Sequence, residues 1–371
     1  MNEMSEETSK AKEYQRKKQI LTLFNLFFTP AVLLLIILSP LSLQWKLWSI
    51  SVGGNAYLAV AIYFVCLSVF MLIFDLPLSF YSGYYLEHRY GLSNQSWKSW
   101  VKDLCKRSLL SFVISCVLLE ALYALIWYSP NLWWLYAWCG YALVSYVMGK
   151  LFPVLIVPLF YKYSRVTDEH LNHEILDLAK RFDLPVENVY ALNLSRTTKK
   201  ANAAFMGFGK TKRVVLSDTL INNFTVEEVK TVVAHELGHY KHHDVWRHFG
   251  FGVLISCLSF WIAYQLIGPM ASYLGYYGAH DIACMPLLFL IFYVFGIVLT
   301  PLHNGFSRWL ERGADRFAIA ACPEKNVFAS CMEKLGSMNL ADPDPNPIYE
   351  WFFYDHPALR KRIRMIQTDP A

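Results

Sequence analysis

The chain has 371 residues, of which 55% are hydrophobic and only 17% are charged, and its formal net charge is +5. A soluble globular domain carries about 25% charged residues, so this composition argues against a soluble protein and indicates a membrane protein. The eight cysteines are scattered without CxxC spacing, which argues against a disulfide scaffold or a cysteine-based zinc site.

Six apolar stretches reach the roughly 20 residues that a membrane-spanning helix needs. The fourth is overlong and contains Pro153 and Pro158, so we expect it to kink or to leave the membrane near its end. We therefore predict a mainly α-helical polytopic membrane protein of six spans, with seven as the alternative count, and a small α+β portion outside the membrane. The predicted spans are 20–41, 55–74, 109–128, 133–160, 249–267 and 284–302.

The positive charges are distributed unevenly between the two sides that these spans define. Of the 34 Lys and Arg residues, 32 lie in four segments. These are the residues before the first span, 75–108, 161–248 and the residues after 302. Because these segments share one side, the positive-inside rule predicts that both termini are cytosolic. The net charge then reflects topology and contact with anionic lipid, and we expect no nucleic-acid partner. The membrane would be the inner membrane of a prokaryote or the endoplasmic reticulum of a eukaryote.

The first long segment outside the membrane, 161–248, opens with an amphipathic helix whose apolar residues recur at helical spacing from Leu171 to Phe182. The stretch NVYAL predicts a strand. NAAFMGFG and KRVVLSDTL, separated by KT, predict a β-hairpin. After residue 302 we expect the sixth span to continue as a helix, followed by the turn-rich stretch ADPDPNP.

The stretch VVAHELGHYKHHD contains the pattern HExxH. Thr225 and Glu228 fit a capping box, and we expect the helix that they start to run through Asp244. His235 and His239 are four residues apart, so they share a helix face and can bind one metal ion. The alternative is an exposed helix that is merely rich in histidine.

Glu236 is rotated away from the two histidines and is free to hold a water. This is the arrangement of HExxH metalloproteases, in which the glutamate is the general base. A third ligand is offered by Glu311 in SRWLERGADRFA, and Asp315 on the same helix face can fix a ligating histidine by a hydrogen bond. His239 and Glu311 lie at similar distances, roughly 13–15 Å, from the ends of their spans. An ordinary charged helix face is the alternative interpretation of the second motif.

The motifs VVAHELGHYKHHD, SRWLERGAD and YDHPALRKRI occur in the order found in the integral-membrane type I CAAX prenyl endopeptidases, which this sequence resembles. FDLPLSFYSGYYLEHRYGLSNQS, FPVLIVPLFYKY and NAAFMGFGKTKRVVLSDTL are also similar to signatures of that family. The resemblance covers the chain from the second span to near the C-terminus. Two positions depart from the family, which commonly has an aromatic residue where Ala204 stands and a histidine near Lys200.

The resemblance implies a role for each matching residue. One Zn²⁺ per chain would be held by His235, His239 and Glu311, with Glu236 as general acid and base. His356 and Arg362 would contact the substrate or the developing oxyanion, a task that suits hydrogen-bond donors. The stretch NAAF would be an edge strand that receives an extended peptide. Its candidate substrate-binding residues are Asn202, Ala203 and Phe205.

We accordingly predict two domains: four spans in 1–160, and a zinc metallopeptidase domain in 161–371 that includes the spans 249–267 and 284–302. The predicted function is hydrolysis of peptide bonds near the C-terminus of prenylated or membrane-associated proteins. One alternative is a bacterial-type endoprotease for membrane-protein quality control. Another is an inactive client-binding or transport protein with a structural zinc.

Overall fold

Long helices make up most of the structure, a computed structural model that describes residues 2–184, 186–206, 213–322 and 324–368. Among these residues, six helical segments are long and apolar enough to cross a membrane. The prediction of a mainly α-helical, multi-pass membrane protein with a small sheet is therefore confirmed. The six segments are Ser9–Leu38, Ala56–Arg89, Trp97–Tyr128, Trp133–Phe160, Asp244–Tyr273 and Ile282–Ala321.

The N-terminal part contains two helices that continue through a π-helical turn. Tyr81–Tyr85 joins the helix that ends at Phe80 to the one that begins at Leu86, and Phe152–Ile156 joins the helix that ends at Leu151 to the one that begins at Val157. The second turn contains Pro153, as expected where a proline removes a helical hydrogen bond. The helices of this part are α1 (Asn2–Leu38), α2 (Leu41–Gly53), α3 (Ala56–Phe80), α4 (Leu86–Arg89), α5 (Trp97–Tyr128), α6 (Trp133–Leu151) and α7 (Val157–Phe160).

The rest of the chain combines a small sheet with helices, two of which extend into the membrane. The predicted amphipathic helix is α8, and it buries Leu171, Ile175 and Leu178. The strands are β1 (Tyr163–Arg165), β2 (Asn188–Leu192), β3 (Ala203–Met206) and β4 (Arg213–Ser217). The helices are α8 (Glu169–Arg181), α9 (Asp218–Asn223), α10 (Val226–Lys241), α11 (Asp244–Tyr273), α12 (Met285–Ala321), α13 (Lys325–Met338), α14 (Pro347–Phe353) and α15 (Leu359–Thr368).

The sheet has the order β1-β2-β4-β3. Its central pair, β2 and β4, is parallel, and both outer pairs are antiparallel. The predicted strand NVYAL is β2. The two strands of the predicted hairpin, β3 and β4, pair with Ala203 opposite Leu216 and Met206 opposite Arg213, while the predicted turn at 210–211 lies outside the described residues. β3 is thus an edge strand, as expected for the NAAF stretch.

One prediction about the HExxH helix is wrong. The helix was expected to run through Asp244, but α10 ends at Lys241 and a new helix begins at Asp244. His243 between them has a left-handed backbone conformation with φ 58°. Such a residue stops a helix, so the chain changes direction and Asp244 returns towards the histidines.

The polar beginning of α1 packs against the part of the chain outside the membrane. Tyr14 is buried, and its hydroxyl donates a hydrogen bond to Glu87. Glu87 also forms an ion pair at 2.9 Å with Lys200, a residue that lies just before β3 in the sequence. Gln15 Nε2 donates to the carbonyl of Leu340 at 2.6 Å. The N-terminal helix therefore extends beyond the predicted first span and reaches the vicinity of β3.

Candidate metal centre

The helix α10 carries both histidines of the HExxH motif on one face. Its capping box forms as predicted: Thr225 N donates to Glu228 Oε2 at 3.0 Å, and Glu228 N donates to Thr225 Oγ1 at 3.3 Å. The rings of His235 and His239 meet edge to face with centroids 4.7 Å apart. Their Nε2 atoms are 3.2 Å from each other.

Glu311 reaches this pair from α12 and is buried. One of its oxygens, Oε2, lies 3.3 Å from His235 Nε2, and the other, Oε1, lies 3.2 Å from His239 Nε2. The three residues each offer one ligand atom, and these atoms all lie within 4.8 Å of one another. Residues more than 70 positions apart in the sequence therefore converge on one point.

A carboxylate fixes the orientation of each histidine ring. Asp315 Oδ1 lies 2.9 Å from His235 Nδ1, and Asp244 Oδ2 lies 3.0 Å from His239 Nδ1. Both aspartates are buried. An Nδ1–H that donates to a carboxylate leaves the Nε2 lone pair free, so both rings present an acceptor to the same point.

This arrangement fits a divalent cation. Two Nε2 lone pairs that face each other at 3.2 Å repel unless a positive charge lies near them. Glu311 Oε2 is also buried, and when His235 is neutral this oxygen has no hydrogen-bond donor, because the nearest group, His235 Nε2 at 3.3 Å, then presents a lone pair. Two imidazoles and one carboxylate are a ligand set of catalytic zinc sites, which leave one position open.

Glu236 follows His235 but lies on a different side of the helix and lines a cavity of about 510 Å³. Burial raises the pKa of its carboxyl group above the ordinary value. A carboxylate with a raised pKa is a better proton acceptor near neutral pH. Its position beside the histidines therefore suits general-base chemistry.

His356 comes from the segment between α14 and α15 and reaches the same centre. Its Nε2 lies 3.2 Å from Glu311 Oε1, and its Nδ1 lies 2.9 Å from Asp355 Oδ1. Burial lowers the pKa of His356, but hydrogen bonds to Asp355 and Glu311 outweigh this effect and raise it to about 10. Both contacts favour the protonated form of this half-exposed ring, which can donate hydrogen bonds.

Arg362 on α15 lies next to His235 and contacts Asp315 through two guanidinium nitrogens. Its Nε donates to Asp315 Oδ2 at 2.9 Å, and its Nη2 donates to Asp315 Oδ1 at 2.6 Å. Nη2 also lies 3.5 Å from His235 Nδ1. This two-point contact holds the aspartate that orients His235. Arg362 also lines the cavity, so its guanidinium borders the space available to a substrate.

The edge strand borders the same cavity. Asn202 and Ala203 line it together with Glu236 and His356. Phe205 is not among the lining residues: its ring packs against Tyr240 of α10 at 4.7 Å between centroids. Two of the three candidate substrate-binding residues therefore face the cavity, and the third supports the strand from the side of α10.

Sequence reasoning missed two residues at this centre. Asp244 was assigned to the helix but not to the metal centre, since five residues after His239 would lie on another helix face; the break at His243 brings it back. Gln15 was missed because it precedes the apolar part of α1, yet it lines the cavity. The only signal for Asp244 was an aspartate close behind a histidine-rich motif.

Comparison with known protein families identifies the chain. A family model described as peptidase family M48 matches residues 165–369, which is more than half of the chain. The chain belongs to peptidase family M48. A second model, described as the CAAX prenyl protease N-terminal part with five membrane helices, matches residues 2–162. In that part the structure has four segments long enough to span a membrane and the 13-residue helix α2.

Relatives of this M48 peptidase occur in bacteria and eukaryotes. It is 29% identical to an uncharacterized metalloprotease, YhfN, of Bacillus subtilis over 98% of this chain and 86% of that protein. It is 30% identical to a CAAX prenyl protease 1 homolog of Arabidopsis thaliana over 80% of this chain and 70% of that protein. The crystal structure of S. mikatae Ste24p shares its fold, with a TM-score of 0.86 and 22% identity over 97% of this chain and 89% of that one.

These similarities confirm the predicted enzyme class. The M48 peptidase is a multi-pass membrane metallopeptidase, and its family implies a metal ion. The cluster of His235, His239 and Glu311 is where the described residues could hold that ion.

Proposed function

We propose that this M48 peptidase is a zinc endopeptidase that cleaves peptide bonds near the C-terminus of prenylated, membrane-tethered proteins. The observation that carries the proposal is the common cavity: Glu236, the edge of β3 and His356 border one space next to the three candidate ligands. A peptide in this space would lie beside the proposed base, the metal ligands and an oxyanion donor at once.

In this proposal His235, His239 and Glu311 hold one Zn²⁺, oriented by Asp315 and by Asp244. Zinc, when bound, supplies a Lewis acid for the scissile carbonyl and lowers the pKa of a nearby water. The protein's own groups then move the protons. Glu236 accepts the proton of the attacking water and transfers it to the leaving amine, a cycle that a raised carboxyl pKa favours.

The negative charge that develops on the substrate oxygen must be stabilised by hydrogen-bond donors. We assign this role to His356, whose ring is held protonated by Asp355 and Glu311, and to the cavity-facing edge of the Arg362 guanidinium. Arg362 has a second task, since its contact with Asp315 fixes His235. A single substitution at Arg362 would therefore affect both oxyanion stabilisation and metal binding.

The substrate would bind as an added strand on β3. In the part of the sheet that the structure describes, β3 pairs only with β4, so its outer edge is open to a further strand. An extended peptide there gains backbone hydrogen bonds without requiring a particular side-chain sequence. Asn202 and Ala203 lie where that strand meets the cavity, and Phe205 supports the strand against Tyr240.

The position of the centre suggests how substrates are selected. Glu311 and Asp315 lie on α12, which continues directly from the membrane, so substrates anchored in the bilayer are delivered close to the centre. Several similar proteins are named CAAX prenyl protease 1, among them that of Saccharomyces cerevisiae. The charge asymmetry of the sequence supports a cytosolic site and cytosolic termini.

The assigned base can be tested with Glu236→Gln. This variant keeps the size of the side chain but cannot accept a proton, so we expect unchanged zinc content and loss of peptide cleavage. Metal analysis and cleavage assays on the same detergent-purified sample would measure both. Retained cleavage would refute the role of Glu236.

The substrate class can be tested by mass spectrometry of a farnesylated C-terminal CAAX peptide and its unprenylated twin, with Glu236→Gln as the blank. Removal of three residues from the farnesylated peptide alone is the expected result. Equal cleavage of both peptides, or cleavage elsewhere, would instead favour an endoprotease for membrane-protein quality control.

A further inference from the structure

The surface of the peptidase part outside the membrane exposes very few large apolar side chains. In 161–243 and 322–368, so far as the structure describes these residues, only Ile348 and Trp351 are exposed large hydrophobics, at 76% and 58%. Both belong to the short helix α14. The other exposed large apolar side chains described in 161–248 and 303–368, Val245, Trp246 and Trp309, belong to the two helices that enter the membrane. An apolar pair on a separate helix of an otherwise polar surface is a candidate contact site.

Ile348 and Trp351 share one face of α14, because they are three residues apart. The opposite face carries Glu350, which is buried and accepts a hydrogen bond from Ala358 N at 3.0 Å. The helix is also well defined at its start, where Asn346 Oδ1 accepts the backbone N–H of Ile348 at 2.9 Å. α14 is therefore a fixed amphipathic helix whose apolar face points away from the protein.

Contacts with α12 set the height of α14 relative to the membrane. Asn304 Nδ2 donates to the carbonyl of Phe352 at 2.7 Å, and Arg308 Nη2 donates to the carbonyl of Trp351 at 3.2 Å. On the same α12, the exposed Leu302 precedes these two donors and the exposed Trp309 follows them. α14 thus lies at the level where the sixth span leaves the membrane.

An aromatic band surrounds this level. Trp309 on α12 and Trp246 at the start of α11 are both about half exposed. The guanidinium of Arg247 lies 5.7 Å from the Trp309 ring centre. Tryptophan flanked by arginine at the ends of spans is characteristic of the membrane–water interface. Trp351 of α14 lies at the same level of α12, since its carbonyl accepts a hydrogen bond from Arg308.

We infer that α14 is an interfacial membrane anchor that inserts Ile348 and Trp351 into the boundary between lipid headgroups and acyl chains. Its occupant is the lipid surface rather than a protein, because Asn304 and Arg308 hold α14 at the level where the sixth span ends, next to the bilayer surface. Amphipathic helices with tryptophan on the apolar face bind membranes in this way.

The anchor is directly connected to the metal centre. Three residues after Phe353, the last residue of α14, the chain reaches His356, and Glu350 Oε2 pairs with Lys361 Nζ at 2.6 Å across this connection. Contact of α14 with lipid would therefore hold the His356 segment in place beside Glu311. This functional consequence rests on the proposed function, whereas insertion itself does not.

Insertion can be tested without any activity. The photo-crosslinking residue p-benzoylphenylalanine is placed at position 348 or 351 of the full chain in proteoliposomes, and at the exposed position 364 on α15 as a control. We expect lipid adducts by mass spectrometry from positions 348 and 351 and none from 364. Absence of lipid adducts at 348 and 351, or adducts with a second copy of the chain, would overturn the inference.

The coupling to the centre can be tested with Ile348→Glu combined with Trp351→Glu. In vesicles, cleavage of a membrane-tethered substrate should fall at least about tenfold, equivalent to about 1.4 kcal/mol. Cleavage of a soluble peptide in detergent should be unchanged. Asn326→Glu with Ser330→Glu adds the same charge to exposed positions of α13 and should leave both rates unchanged. Equal loss in vesicles and detergent would refute the coupling, while lipid adducts would still support insertion.

Discussion

Gly238 of the HExxH helix lies directly against the backbone of Ala314 in α12. A Cβ at residue 238 would stand 3.0 Å from Ala314 Cα and 3.1 Å from its carbonyl oxygen. Because backbone cannot move aside like a flexible side chain, Gly238→Ala should push α10 away from α12 and separate the histidines from Glu311. Overpacking of this kind costs about 1–3 kcal/mol.

We expect Gly238→Ala to weaken metal binding by about tenfold or more, as 1.4 kcal/mol corresponds to a factor of ten. Chelator competition would measure the affinity. Gly250→Ala is the control, since a Cβ there meets nothing within 4 Å. Equal metal affinity in the two variants would contradict the close-packing argument.

Asp244→Asn tests the residue that the helix break brings back to the metal centre. The substitution keeps the shape of the side chain but removes the negative charge of the carboxylate. In the wild type, Oδ2 of this carboxylate lies 3.0 Å from His239 Nδ1. Loss of such a supporting contact costs about 10- to 100-fold in metal affinity. The measurement is the zinc dissociation constant at neutral pH. An affinity equal to that of the wild type would show that His239 is oriented by other groups.

Arg362→Lys separates the two tasks proposed for this arginine. Lysine keeps the positive charge but cannot make the two-point contact with Asp315. Because we assign both tasks to Arg362, metal affinity should fall, and kcat should fall by about 10²-fold even at saturating zinc. A normal kcat of the zinc-saturated variant would show that Arg362 acts only by holding Asp315. Steady-state kinetics across a zinc titration distinguish these outcomes.

The metal affinity should depend on pH because His235 carries a proton in the metal-free protein. Burial lowers its pKa, but Asp315 and Glu311 outweigh burial and raise it to about 9. A ligating histidine must be neutral, so zinc binding at pH 7 releases this proton, and affinity should fall as pH drops below about 9. Calorimetry in two buffers of different ionisation enthalpy would measure the released proton. Identical heats in both buffers would contradict this assignment.

Glu87→Gln tests the junction between the N-terminal helices and the edge strand. The carboxylate of Glu87 accepts from Tyr14 and pairs with Lys200 at 2.9 Å in a mostly buried site. Losing the charge removes the ion pair of Lys200, leaves it only the Tyr14 hydroxyl at 3.1 Å, and should lower the free energy of unfolding by about 1–3 kcal/mol. Thermal unfolding in detergent would report the change. Glu13→Gln, which breaks the exposed pair with Lys17, should change the free energy of unfolding much less, because solvent screens that pair.

The membrane part of the fold was largely predictable because hydropathy depends on local composition. The fourth span, for example, was predicted as 133–160, and the structure has Trp133–Phe160. The short helix α2 was not predicted because its 13 residues are too few for a span. The docking of Tyr14 and Gln15 could not be predicted either, since a polar helix end carries no signal of what it will contact.

The metal centre shows the same division between local and distant information. The relation of His235 to His239 follows from the helical repeat, so spacing alone predicts it. The contributions of Glu311 and His356 depend on segments far apart in sequence. The matching depths of Glu311 and His239 predicted that Glu311 meets the histidines, whereas for His356 the only indication was motif order. Asp244 was missed because helical periodicity predicts a continuous helix through this residue. The left-handed backbone conformation of His243 ends that helix and brings Asp244 next to His239.

Helix α12 is one continuous element from Met285 to Ala321, and its two ends lie in different surroundings. Its first half is matched in length to the hydrocarbon layer, while Glu311 near its far end approaches the histidines of α10. A helix that tilts to fit a thinner or thicker bilayer moves its far end with it. Acyl-chain length should therefore alter the geometry of the candidate metal ligands of this enzyme.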